Sequence, residues 1–380
     1  MTNKEKVSIG TIFGVVSVWF GAHAGGGFAS GNQTMSFFVN YGWPAIFTPL
    51  LAIAFLTIIY RIIMIICNQH GINNYADFGH KLYAPYNRII EPFYEICYLG
   101  AGMLATSASV AGASAVINQV FGIPYMLCVV VIAILTIFVS MFGVRMIARA
   151  STVMVVLIAF SVLVIAVAGL ATRGEYILQD ISANYAPQGI GPAVWKSITY
   201  ASFQIFSLMG AYGVATQLKT EKACNKAAIL GFVINGGMLL LNALLCLAYR
   251  EVITGNTLPI LTICQSLDSN LLTVLYTVCL FCAFVSTAAS VVFGTIARFG
   301  KYHEKMKLSQ NVWNLLVGII VILISMGAAS FGLTAIVAVG YSYLGVIGIF
   351  LVAIPCLIVG SMKIRKYREM HRAIQSQEGE

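Results

Sequence analysis

Charged side chains are scarce in this sequence: Asp, Glu, Lys and Arg together make up 9% of its 380 residues. With 59% hydrophobic residues and a mean hydropathy of +0.88, the chain carries more apolar surface than one water-soluble core can hide. Polar stretches long enough for an appended soluble domain are missing. So are a Walker-type phosphate loop, an HExxH zinc pattern and a GxSxG nucleophile turn, which removes the usual sequence grounds for a membrane enzyme. Nine cysteines lie mostly inside apolar segments rather than in polar connections, so they imply no disulfide framework. Cys279 and Cys282 form a CxxC without a histidine or further cysteine at ligand spacing, and packing of small residues accounts for it.

What remains is a series of apolar runs, each near or above the ~20 residues that cross a ~30 Å hydrocarbon layer as a helix. A barrel would instead show alternating segments of about ten residues. The expected fold is an all-α membrane protein with ten spans: 8–40, 43–67, 87–118, 124–142, 148–170, 192–217, 227–249, 269–298, 311–328 and 331–362. Residues 1–170 form a first five-helix repeat, 171–362 a second and 363–380 a basic tail. The last run, with Gly340, Gly345 and Gly348, is expected to be one bent or partly re-entrant span, with Phe331 to roughly Tyr341 as a short extracellular or half-buried piece. Between spans two and three, a polar loop with a short interfacial helix is expected.

With both termini in the cytoplasm, only Arg173, Lys196 and Arg250 of the 22 basic residues fall on the far side. This positive-inside bias explains the net charge of +9 without nucleic acid as a partner.

The run "GAHAGGGFASG" at residues 21–31 interrupts span one. Gly27 and Gly31 make a GxxxG that a tight helix crossing would also use. Three consecutive glycines go further, since each costs about 1 kcal/mol of helix propensity relative to Ala. Unwound backbone survives in a membrane only where protein or a water-filled cavity satisfies it. Gly210 and Gly213 stand midway through span six, five spans later. Matching breaks in spans one and six are what a 5+5 inverted repeat predicts, with the ligand site where the two discontinuous helices meet.

These segments resemble the LeuT fold of the neurotransmitter:sodium symporters and the amino acid-polyamine-organocation superfamily. Within it, "WFGAHAGGGFASGNQ" and the chain's size are similar to the small bacterial YkvI-like membrane proteins. "FQIFSLMGAYG" resembles the unwound part of span six in the sodium symporters, and "AFVST" their span-eight sodium motif. The resemblance implies a secondary transporter in the bacterial cytoplasmic membrane that moves a small zwitterion, most readily an amino acid, with sodium as coupling ion and no other cofactor. It implies a sodium site of the Gly21, Ala24 and Ala283 carbonyls with the Ser286 and Thr287 hydroxyls, five neutral oxygens suited to a hard cation. Each hydroxyl could equally bond a carbonyl one turn back in its own helix. For the substrate, it implies Ala24, Gly25, Gly26 and Gly27 on the carboxylate side, with Phe203, Gln204, Phe206, Ser207 and Tyr212 from span six. Ala22 replaces the usual asparagine of the sodium symporters, which argues against a second sodium, and span five carries no lysine that would replace the ion.

His23 sits beside the break and reads either as a substrate or proton group or as a packed histidine. Glu91 and Glu95 stand one turn apart at the start of span three, and read as a gate ion pair, a proton site or cytoplasmic side chains. A proton-coupled carrier, a ligand sensor and a channel of the same architecture are the competing functions.

Overall fold

The computed structural model describes residues 7–142 and 144–377, all of its regular structure helical. Lys4, Lys6 and the end of the basic tail lie outside the described residues. The first span is broken into three pieces, α1 (Ile9–His23), α2 (Gly26–Ala29) and α3 (Asn32–Phe37). A 3-10 turn at Trp43–Ile46 leads into α4 (Thr48–His70), and the polar loop after it carries α5 (Tyr75–Tyr83). Then come α6 (Asn87–Phe121), α7 (Tyr125–Phe142), α8 (Val144–Arg173) and the short α9 (Glu175–Ser182).

The second half opens with α10 (Ile190–Ser207), a 3-10 stretch at Leu208–Ala211 and α11 (Tyr212–Ala215). It continues with α12 (Glu221–Ala248), α13 (Arg250–Ile253), α14 (Pro259–Ser266), α15 (Asn270–Phe299) and α16 (Gln310–Ala329). The last run contains α17 (Leu333–Ala335), α18 (Tyr341–Gly348) and α19 (Ser361–Gln377), joined by π-helical turns. Helix starts follow the side-chain oxygens: Ser8, Asn74, Thr220, Ser269 and Ser309 each accept an N–H from the first turn that follows.

Among the described residues, seven helices are long and apolar enough to cross a membrane, so the chain is a multi-pass membrane protein. Ile9–His23 and Tyr125–Met141 are apolar but shorter. Breaks account for part of the difference from ten, because span one is cut at Ala24 and again at Gly31, and span six tightens after Ser207. Exposed apolar side chains such as Ile134, Phe160, Val167, Leu275 and Leu323 give the bundle a surface suited to hydrocarbon.

The last run is one span, as expected, but differs from expectation in one part. Residues 333–370 form one helical span, so the stretch up to Tyr341 is not a separate extracellular or half-buried piece but, from Leu333 on, part of that span. Instead of turning back, the backbone widens into π turns on both sides of Pro355, whose missing N–H an α-helix would leave as a gap. The glycines there serve contact with α10: a Cβ on Gly345 would lie 2.3 Å from the Thr199 carbonyl oxygen, and one on Gly348 2.7 Å from that of Ser202. The basic tail continues the same span as helix α19 up to Gln377.

Candidate functional site

The first break is an opened backbone. Ala24 leaves the helical region at φ −87°, ψ 40°, and Gly25 is extended at φ −68°, ψ 179°. The helical hydrogen bonds stop with Ala24 N–H to Phe20 O and resume with Ala29 N–H to Gly25 O. Among the described residues, no backbone acceptor meets the N–H groups of Gly25 to Phe28, and no backbone donor meets the carbonyls of Gly21 to Ala24. Four donors and four acceptors therefore face one gap, at a depth where water would not otherwise reach.

A cavity of about 650 Å³ opens onto this gap. Gly21, Ala24, Gly25, Gly26, Gly27, Phe203, Gln204, Phe206, Ser207, Ala283, Ser286 and Thr287 all line it, so residues expected from separate spans share one wall. Thr287 Oγ1 faces the break, 3.9 Å from where a Cβ on Gly25 would stand, and has no hydrogen-bond partner among the described residues. Ser286 does what its alternative reading required: its Oγ donates to the Ala283 carbonyl at 3.1 Å. Both lone pairs of that hydroxyl oxygen stay free for a cation, whereas the carbonyl, inside α15, also takes a helical N–H and is free only when the Ser286 hydroxyl turns away. Tyr212 does not line the cavity; it is fully buried and its hydroxyl bonds that of Tyr98 at 2.8 Å.

His23 belongs to a chain of hydrogen bonds linking spans one, six and seven. Gln204 Nε2 donates to the Tyr200 hydroxyl at 3.0 Å, and that hydroxyl lies 2.9 Å from His23 Nε2. On the other side of the ring, His23 Nδ1 is 2.9 Å from Asn235 Oδ1, while Asn235 Nδ2 donates to Gly231 O at 2.9 Å. Gly231 O accepts only, so Asn235 must turn its nitrogen there and its oxygen to the ring. His23 then donates from Nδ1 and accepts at Nε2, a neutral tautomer with both nitrogens occupied. This geometry makes His23 a brace that aims Gln204 at the cavity.

The two glutamates lie apart from the break. Glu95 Oε1 accepts from Arg298 Nε and Nη2 at 2.9 and 2.6 Å and from the Tyr75 hydroxyl at 3.0 Å. Burial first, then the Glu95 charge, push the Tyr75 phenol up to about 12, with Arg298 opposing, so it stays a donor at physiological pH. Glu91 instead meets His80 Nδ1 at 2.7 Å on an exposed surface. Arg298 lines the cavity, and Glu95 holds it at the mouth.

From Ala283 to Arg298 the wall follows α15 for roughly 22 Å of helix rise. The cavity therefore reaches from the break to the end of the bundle that bears the basic 298–307 connection. The opposite end is shut by α14. Ile260 N–H donates to Ser30 O at 3.1 Å, and a Cβ on Gly31, itself at φ +81°, would lie 2.9 Å from Ile260 Cγ1. Asn32 Nδ2 ties the same corner to Thr257 O and to Thr334 Oγ1, both at 2.9 Å.

Sequence reasoning missed Gln33, Asn32, Ser109, Tyr341 and Arg298. An Asn-Gln pair after the glycine run was the available signal for two of them, since paired amides are unusual inside an apolar helix. Nothing local marks the others.

An interrupted first span, a tightened sixth and a cavity between them define a LeuT-like helical membrane protein, and comparison with known proteins bears on the same point. No protein-family model matches the chain. It is similar to the uncharacterized membrane protein YkvI of Bacillus subtilis (strain 168), at 28% identity over 225 residues, 58% of this chain and 61% of that protein. The match thus spans less than two thirds of that relative's length. Among solved structures, MhsT in complex with L-phenylalanine superposes with a TM-score of 0.64 at 15% identity, covering 93% of this chain and 97% of that one. A Na+-coupled sialic acid symporter, in a substrate-bound outward-open state, gives 0.59 at 15% identity, covering 94% and 93%. At these identities the likeness establishes the fold.

Proposed function

We propose that this protein is a sodium-coupled secondary transporter of a small zwitterion, most directly an amino acid, working by alternating access. The observation that carries the reading is the cavity at the span-one break. Idle backbone donors and acceptors, an unpaired Thr287 hydroxyl and aromatic side chains surround it, and Arg298 at its mouth is the one described lining residue with a permanent charge. A cargo of net charge would go unneutralised there, whereas a zwitterion finds N–H groups for its carboxylate and carbonyls for its ammonium. Gly21 and Ala24 carbonyls, the Ala283 carbonyl and the Ser286 and Thr287 hydroxyls form the sodium site in this reading. MhsT with bound L-phenylalanine and the Na+-coupled sialic acid symporter share the fold, which supports both parts.

The finer architecture belongs to the same proposal: ten spans, residues 1–170 and 171–362 as inverted five-helix repeats, and both termini cytoplasmic. In that orientation the cavity opens to the cytoplasm while α14 closes the outside, an inward-facing state. Transport then requires α14 and the Asn32 contacts to part as the Arg298 end closes. In this scheme Glu95 sets the position of Arg298 at the inner mouth, and His23 stays neutral and takes up no coupling proton.

A thermal-shift screen of amino acids, nucleobases and osmolytes in sodium and in potassium tests the reading, because a ligand stabilises the state it binds. At a hundred times its dissociation constant, a cargo contributes about 2.7 kcal/mol. The expected result is stabilisation by one or a few amino acids, larger in sodium. Equal shifts in the two salts would remove sodium, and a response confined to nucleobases or osmolytes would remove the amino acid.

A further inference from the structure

We infer that Gln33 is a cargo-binding residue, whose side-chain amide donates to the carboxylate of the bound amino acid beside the backbone N–H groups of Gly25 to Phe28. The inference rests on the amino-acid reading of the cavity and specifies which part of the cargo is recognised. Gln33 lines the cavity and is 7% exposed, yet neither atom of its amide has a hydrogen-bond partner among the described residues. Its Oε1 is wholly buried without a partner.

The unmet Oε1 is costly, of the order of a lost hydrogen bond, whereas Nε2 is not wholly buried and is open to a ligand. Other buried amides close by have partners: Gln204 donates to Tyr200, Asn235 to Gly231 and Asn242 to Phe28 O. Gln33 differs in facing the break. The left-handed turn at Gly31 folds α3 back, and the Gln33 Nε2 atom comes to 2.5 Å from the point where a Cβ on Gly27 would stand. Gly27 is therefore open space that the amide uses. The four-residue α2 alone offers a weak anion site. A side-chain donor placed over its first turn adds direction and one more neutral donor.

No ammonium is at hand to do this work. Lysine is missing from the described lining, and Arg298 lies eleven residues along α15 from Thr287, roughly 16 Å by helix rise. Recognition of the acid group thus falls to amides, and the site should tell a carboxylate from the uncharged carboxamide that replaces it.

The test uses the full chain purified in detergent with sodium, titrated with each of the twenty standard L-amino acids. The tightest binder is then compared with its primary amide and its decarboxylated amine. Wild type should favour the acid. Gln33→Met, which keeps side-chain volume, should weaken acid binding about ten- to a hundredfold, the usual value of a hydrogen bond to a charged group, with a smaller effect on the amide. Gly27→Ala, which displaces the amide while leaving it in the chain, should shrink the acid-to-amide ratio in the same direction. Stabilisation by sodium without amino acid reports that both variants are folded.

An unchanged ratio in Gln33→Met, or an equal loss for all three compounds, overturns the inference while leaving an amino-acid site. Absence of binding by every amino acid to wild type overturns the functional reading, and the role of Gln33 with it.

Discussion

Thr287→Ala is expected to abolish most of the sodium stimulation of cargo binding while leaving the folded protein intact. The hydroxyl lies beside Gly25 with no hydrogen bond among the described residues, so its removal orphans no partner. What it takes away is one of five oxygens around the proposed ion. By the scale of a hydrogen bond to a charged group, the loss is about 1.5–3 kcal/mol, or roughly ten- to a hundredfold in apparent sodium affinity. Thr287→Ser keeps the oxygen and should behave close to wild type. Ser286→Ala should be milder, because the Ser286 hydroxyl already donates to Ala283 O and its loss also frees that carbonyl. The measurement is cargo binding against sodium concentration at constant ionic strength. Superimposable curves for Thr287→Ala and wild type would remove the site.

The second large effect is steric. Phe284 is fully buried between the span-one break and α6, and its ring fills the space of two absent side chains. A Cβ on Gly26 would lie 2.4 Å from its Cδ1, and one on Gly112 2.2 Å from its Cζ. Neither neighbour is a flexible chain end, so an added methyl must shift the ring or the backbone. Gly26→Ala should therefore destabilise by about 1–3 kcal/mol, as overpacked cores do, and should weaken cargo binding further by moving the N–H groups of α2. Phe284→Leu in the same chain should recover part of the loss, since the smaller side chain gives the methyl room. A double-mutant cycle on thermal unfolding in detergent reads the coupling. Equal cost of Gly26→Ala in both backgrounds would mean that Phe284 does not set the need for glycine.

These two sites show why part of the molecule was legible in advance. The Gly25 to Gly27 run announced its break because glycine is the wrong residue for a helix, and the cost is local. The resemblance pointed to Ser286, Thr287, Phe203 and Phe206, and the structure puts all four on the cavity wall. Gly112 announced nothing: its reason is a ring 172 residues away in sequence, and only packing reveals it. Gly345 and Gly348 misled for the same cause. In isolation they suggest a bend or re-entrant segment; in the structure they let the last span touch the α10 backbone. Tyr212 matched a motif but turned to Tyr98, because two buried hydroxyls meet more cheaply than either stays alone. Closure by α14 was equally hidden, since it depends on contacts of Ser30 and Gly31 with Ile260, far along the chain.

Counterflow in proteoliposomes tests the central claim most directly. Vesicles are loaded with the unlabelled amino acid identified by thermal shift and given a trace of labelled amino acid outside, in sodium or potassium. The account predicts saturable exchange that requires sodium, falls sharply in Thr287→Ala and stops when the acid group of the outside amino acid is amidated. Tight binding without exchange, or flux that rises without saturation, would contradict it.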